Sequence, residues 1–326
     1  IIEGKDKKYH LTKDIQEVSI PATIQDVMMA RVDSLPVGAK EVLQTGSVIE
    51  REFSYELIKH VSSLPEKELL SHLSALIDSE LLYERGIYPK STYIFKHALT
   101  REVVYDSILT RKQKKLHEET GNAIEKLYKD SIDEHYGVLV EHFIESENYE
   151  KGAQYSKLAG KIAQKKSAFR DAISYAKKGV FCLEKLPKTD ALQRKIIDIR
   201  TVLSGYYLSL NYHIQAKEAV SPVVDLAQKL NYQKRNPAIY TAIGSHGVLV
   251  EEDYSEGRRY LRAAIKASEE IGDFVSLWFA SYFLGSYLSQ NCEFEEGLYY
   301  LEKCLELSLA ANNLVSIVFA KGTISC

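Results

Sequence analysis

Proline is scarce in this chain, with 7 in 326 residues. Proline removes a backbone donor and clashes with the preceding helical turn, so its scarcity leaves long helices free to form. The four cysteines, Cys182, Cys292, Cys304 and Cys326, include no C-x-x-C pair. Their low density excludes a disulfide-stapled secreted scaffold and points to a reducing, cytoplasmic compartment. No apolar run approaches the roughly 18 residues that a membrane helix needs; Leu314 to Ala320 is among the longest. No signal peptide is visible. Charge of one sign is also lacking: the net charge is -3. Bulk electrostatics therefore predicts neither a nucleic-acid nor a membrane partner.

What is present is an ordinary globular balance, 45% hydrophobic and 27% charged, with 22 tyrosines. Tyrosine fills gaps between packed helices while its hydroxyl finds a polar partner. Ile24, Val27, Met28 and Leu35 recur at helical spacing after Pro21, and Pro36 ends that helix. A second helix runs through Ala39, Leu43 and Val48. Ser54 is placed to cap a third, with Leu57 and Ile58. Ser63-Leu64-Pro65-Glu66 reads as a capping box opening a helix that buries Leu69, Leu70, Leu73, Leu76 and Ile77. Leu81 to Arg85 and Tyr93 to Lys96 read as two short strands about a loop with Gly86 and Pro89. Short helices followed by a β-hairpin form the pattern of a winged helix. From Thr100 the chain is helical, with Val103, Val104, Ile108 and Leu109 on one strip and Leu116, Ile124 and Leu127 on the next. The basic run Arg111, Lys112, Lys114 and Lys115 reads as a solvated face rather than a phosphate patch.

An internal repeat dominates the remainder. Tyr254-Ser255-Glu256-Gly257 aligns with Phe294-Glu295-Glu296-Gly297 at a shift of 40 residues. Leu261 and Ala264 then fall on Leu301 and Cys304, and near a shift of 41 Ala216, Val220 and Val223 take the places of Gly257, Leu261 and Ala264. Paired helices need a small residue where their axes come closest and an aromatic to fill the wedge at the turn. Leu284-Gly285 followed by Phe294, Gly297, Leu301 and Cys304 has the tetratricopeptide spacing. Looser units include Tyr149 with Ala153, then Phe169, Ala172 and Tyr175, before a helix through Leu192, Ile196, Ile199, Leu203 and Tyr206. Such pairs cannot bury their own apolar faces, so they stack into a solenoid. Leu314 to Cys326 reads as the first helix of a further pair, and the first residue is Ile1, so the natural chain is expected to continue on both sides.

No catalytic site is expected, and no metal site. There is no G-x-x-x-x-G-K-[ST] loop, H-E-x-x-H or G-x-S-x-G, and no cysteine has a histidine partner in sequence. His117-Glu118 is followed by Thr120 and Gly121. His135 and His142, two turns apart beside Glu141, read as a solvated or packed pair. His97, between the second strand and a helix start, reads on physical grounds as a capping or packing histidine.

Specific motifs suggest a family. Ile20-Pro21-Ala22-Thr23-Ile24-Gln25, Ala30-Arg31-Val32-Asp33-Ser34-Leu35-Pro36, Ala39 to Gln44 and Val48 to Phe53 resemble the winged helix of bacterial STAND-type signalling ATPases. These are often linked to class III adenylate or guanylate cyclases. The segment from Tyr93 to Tyr105 and that from Arg111 to His117 continue the match, over roughly residues 15 to 120; Glu50 stands where the family commonly has glycine.

The resemblance implies a mostly α chain, a winged helix with a small β-hairpin followed by an α-solenoid of tetratricopeptide-like pairs. Residues 1–20 would end a preceding ATPase module, 21–110 form the winged helix, 111–145 connect, and 146–326 form a superhelix truncated at its C-terminus. This fragment would be a regulatory, protein-interaction segment and no enzyme. It would need no cofactor of its own, with ATP or ADP and Mg bound elsewhere in the parent protein. A protein or peptide on the repeat groove, with the ATPase and cyclase domains in cis, would be its partners. His97 would touch a nucleotide phosphate in the parent, as in the Met-His-Asp motif, although Ala98 replaces the acid. A STAND-type transcriptional regulator and a repeat scaffold without nucleotide switching are the alternatives; the acidic helix with Glu66, Glu68, Asp78 and Glu80 against Lys67 argues against duplex DNA.

Overall fold

The computed structural model describes residues 2–5, 8–11 and 22–325, with side chains from residue 24 onward. The expected end of an ATPase module at 1–20 thus lies largely outside the described residues. What is described there is an antiparallel pair, β1 (Ile2–Lys5) with β2 (Lys8–Leu11). The chain divides into two compact units, one of residues 1–132 with 145–147, the other of 133–144 with 148–326.

In the first unit α1 (Ala22–Asp33) and α2 (Val37–Ile49) precede β3 (Glu52–Ser54), α3 (Tyr55–Ser62) and α4 (Glu66–Asp78). The strands β4 (Leu82–Arg85) and β5 (Thr92–Phe95) follow, then α5 (Ala98–Asp106) and α6 (Thr110–Leu127). The sheet is antiparallel in the order β3-β5-β4, with Phe53 opposite Tyr93 and Leu82 opposite Phe95. The two strands expected from sequence are present; β3 is an addition, recruited to the free edge of β5. Ala39, Leu43 and Val48 of α2, Leu69, Leu73 and Leu76 of α4, and Phe95 form the core.

Two local expectations change. The capping box at Ser63 is not formed. Ser63 instead ends α3 in the left-handed region (φ 53°), and Pro65 sits at the start of α4 with no side-chain cap. Glu66, freed from reaching back, pairs with Lys59 at 2.6 Å and accepts from the Tyr88 hydroxyl. Ile24, Val27 and Leu109 are exposed, because helical spacing identifies a stripe without saying whether anything covers it. By contrast, the Ser54 hydroxyl accepts from the Leu57 amide at 3.2 Å, the expected cap.

In the second unit α7 (Tyr136–Glu145), α8 (Tyr149–Lys165), α9 (Phe169–Lys185), α10 (Asp190–Leu208), α11 (His213–Val220), α12 (Val224–Lys229), α13 (Asn236–His246), α14 (Tyr254–Ile271), α15 (Phe274–Gln290), α16 (Phe294–Ala310) and α17 (Leu314–Ile324) succeed one another. They form the helical repeat array that the spacing implied. Its turns keep time: left-handed residues fall at Asn211, Asn231, Glu252, Gly272, Cys292 and Asn312. A left-handed residue reverses the chain after one helix, and the next residue opens the following one. Asp253, Asp273 and Asn313 do so with side chains that accept from Glu256, Ser276 and Ser316 amides.

The expected equivalence of Gly257 and Gly297 is visible in what surrounds them. A Cβ on Gly257 would lie 2.8 Å from the Val248 amide nitrogen and 3.1 Å from the Gly244 carbonyl. On Gly297 it would lie 3.0 Å from the Ser289 nitrogen and 3.1 Å from the Gly285 carbonyl. In α8 the matching small residue is Gly152, whose Cβ would meet Cys182 Sγ at 2.9 Å, rather than Ala153. The loosest copy, Ala216 to Val223, buries all three expected residues, but a short 3-10 segment at Ser221–Val223, with Pro222, interrupts its helix.

Candidate functional site

His97 stands at the junction of β5 and α5. Phe95, two residues earlier, is fully buried between strand neighbours, and Thr100, three later, is buried as well. These anchors hold an extended backbone at His97 (φ -129°, ψ 134°), whose carbonyl accepts from the Thr100 amide at 3.1 Å. The His97 imidazole makes no cap to the helix and is exposed. Beside it Lys96 pairs with Glu80 at 3.0 Å, an interaction that holds the Glu80 carboxyl below its ordinary range. The capping and packing roles that physical reasoning favours are therefore not the ones this side chain occupies. What it offers is a free imidazole on a rigid junction, able to donate to an anionic oxygen.

A second histidine, His117, is visible in the sequence only as the start of an incomplete H-E-x-x-H, and it is buried. His117 is 6% exposed, and its Nε2 lies 2.9 Å from the Tyr105 hydroxyl. Burial pushes its pKa down to about 4, with Arg101 adding repulsion, so the ring is neutral and the tyrosine donates. The chain alternation Tyr105…His117 across a turn carried no signal, since it joins two helices. The sign of its pH effect follows from the lowered value. Unfolded, the ring binds a proton near its ordinary 6.5; folded, it resists until about 4. Stability from this group is complete above the unfolded value and is lost as pH falls between the two. Tyr105→Phe should lower stability by about 1 kcal/mol, the worth of one buried hydrogen bond. Unfolding curves of the variant and the parent sequence at neutral pH check this.

The basic run is a solvated, paired face. Lys112 donates to Gln44 at 2.9 Å, Lys114 pairs with Glu147 at 2.8 Å and Lys115 with Glu119 at 3.6 Å.

The second unit adds a polar cavity of about 220 Å³ lined by Lys217, Ile243, Gly247, Glu251, Asp253, Glu256, Gly257 and Tyr260. It exists because the repeat is out of step there by one residue. Gly244 and Gly285 are 41 apart, while Glu252 and Cys292 are 40 apart. The surplus residue is taken up as a π turn at Gly247–Glu251, the usual way a helix absorbs an insertion. Buried His246 places Nδ1 3.4 Å from both Lys217 Nζ and Glu251 Oε2, and Lys217 reaches Glu251 at 2.8 Å. His213, packed edge-on to Phe283, has a pKa lowered by burial and by His246. Lys217, His246 and Glu251 satisfy one another, whereas His213 Nδ1 is buried without a hydrogen-bond partner, and the cluster holds no activated nucleophile. Burial also pushes the Cys182 thiol up to about 11 and Cys304 up to about 12, which keeps both protonated. His135 and His142 belong to no group of three or more potential metal ligands among the described residues. No helix among them is long and apolar enough to cross a membrane.

No known family model matches this sequence, and no curated protein matches it. Among solved structures the chain is similar to a Signal Transduction ATPase with Numerous Domains (STAND) protein with a tetratricopeptide repeat sensor from Pyrococcus horikoshii. The identity is 15%, the TM-score 0.39, and the match covers 95% of this chain and 50% of that one. The chain spans about half the length of that protein.

Proposed function

We propose that this chain is the regulatory, partner-binding portion of a larger STAND-type signalling ATPase that carries an adenylate or guanylate cyclase as its effector. In this reading the first unit is the winged helix and the second is the sensor array. The observation that carries it is His97, an exposed imidazole without a capping role, in the Tyr93 to Tyr105 segment that bears the family resemblance.

The mechanism is a balance of two states. The His97 ring would donate a hydrogen bond to a phosphate oxygen of ADP held by the upstream ATPase module, and this contact would tie the winged helix to the closed form. A protein or peptide that binds the repeats better in the open form shifts the population toward it by its difference in affinity for the two. ATP or ADP and Mg serve the ATPase module; His97 is the residue here that would reach a phosphate. The winged helix acts within the protein rather than on DNA, because Glu66, Glu68 and Glu80 all remain solvent-accessible on and around α4, where they repel phosphate.

Turnover is the direct test of the non-catalytic part. The purified chain should leave ATP and GTP unconsumed, since no phosphate-cradling loop occurs in its sequence. Hydrolysis or cyclisation that co-purifies with the chain through successive columns would contradict the assignment.

A further inference from the structure

The sensor array contains a segment with a marked excess of basic charge. Residues 149–188, which hold α8 and α9, carry ten lysines and arginines against three acids, in a chain whose net charge is -3. Elsewhere in this unit the fold pairs its strongest cations. Every arginine from Arg200 onward meets a carboxylate: Arg200 with Glu184, Arg235 with Asp198, Arg258 with Glu293, Arg259 with Glu256 and Arg262 with Glu296. On α8 the basic residues are all lysines. Lys157, Lys161 and Lys165 are exposed, and none of them has an ion pair or hydrogen bond. They recur every fourth residue, so they stand in one row, about 6 Å apart and about 12 Å end to end. Like charges at this spacing repel and cost the helix a few tenths of a kcal/mol per pair. An ordinary solvated face avoids that cost by alternating sign, as Glu256 and Arg259 do on α14.

We propose that the Lys157–Lys161–Lys165 row is a docking surface for an acidic helical segment of a partner protein, with carboxylates repeating once per turn. The inference deepens the proposed function and rests on the second unit being a partner-binding array. Charge complementarity and period select this occupant. A glutamate row on a second helix has the same rise per turn and meets each ammonium with one carboxylate. An extended polyphosphate fits less well. The row has no arginine for bidentate phosphate contacts, no aromatic stands within it for base stacking, and the chain as a whole is negative.

The test uses the whole chain and a fluorescent helical peptide bearing glutamate at every fourth position. Anisotropy should show binding that weakens as salt rises. A triple variant, Lys157→Glu, Lys161→Glu and Lys165→Glu, should bind about tenfold more weakly or worse. A control with Lys229→Glu, Lys234→Glu and Lys266→Glu, which changes the net charge equally, should bind within about twofold of the parent. Circular dichroism and melting of both variants establish that they are folded. Equal binding by the row variant, equal loss in the control, tighter binding of duplex DNA than of the peptide, or concentration-dependent self-association that the row variant abolishes would each overturn the proposal. None of these outcomes touches the regulatory reading, which falls instead if the chain turns over ATP.

Discussion

Gly257→Leu and Gly297→Leu should each destabilise the repeat array by about 1–3 kcal/mol, the usual cost of forcing atoms into a packed interior. For a unit of this size that is a fall in melting temperature on the order of 3–10 °C. The expectation rests on what the new side chains would strike. At Gly257 the new Cβ would meet Val248 Cγ1 at 2.7 Å and, directly behind it, the Val248 backbone nitrogen at 2.8 Å; at Gly297 it would meet Ser289 Oγ at 2.6 Å and the Ser289 backbone nitrogen at 3.0 Å. Backbone cannot rotate aside as a flexible side chain does. Gly205, in α10, has nothing within 4 Å of its added Cβ. Gly205→Ala should therefore act with the opposite sign, stabilising by about 0.4–1 kcal/mol through the reduced freedom of the unfolded chain. Melting curves of the three variants check both directions. Equal and small effects at all three positions would mean that the two glycines are not close helix contacts.

The parts of this architecture that were legible in the sequence are those written in periodicity and in small residues. Gly257 and Gly297, with Leu261, Ala264, Leu301 and Cys304, announced a helix-pair contact because only small and apolar side chains at those offsets let two helices touch. The hairpin Leu82–Arg85 with Thr92–Phe95 was legible through its aromatic and β-branched residues about a turn. What was hidden depended on long-range pairing or on backbone shape. The strand Glu52–Ser54 has three residues and no alternation to detect, and exists because β5 presents a free edge. The left-handed turn residues are Asn, Glu, Cys and Gly in turn, so no single residue type marks the turns. The π turn at Gly247–Glu251 has no residue signature of its own, and shows itself only as the difference between intervals of 41 and 40.

The candidate site was legible in identity more than in setting. The motif around His97 drew attention to that residue, but its exposure could not be read from sequence. Phe95 and Thr100 are buried, and the strand-to-helix junction between them turns the imidazole away from the core. The Tyr105–His117 pair and the Lys217–His246–Glu251 cluster leave no sequence signal, because each joins residues of different helices.

Replacing His97 should have its largest effect away from this chain's own stability. A charge-assisted hydrogen bond to a phosphate oxygen contributes about 1.5–3 kcal/mol, so its loss should speed ADP release about 10–100-fold. The same change should leave the chain's melting temperature nearly unmoved, since the ring is exposed and caps nothing. On the proposed switch, output without a stimulus should rise, because the closed state would lose its tie. The most direct measurement is the rate of ADP release from the parent protein and from its His97→Ala variant, read beside the melting of this chain with and without the substitution. Faster release with unchanged melting is the predicted result. Unchanged release with a lowered melting temperature would make His97 a packing residue and contradict the account.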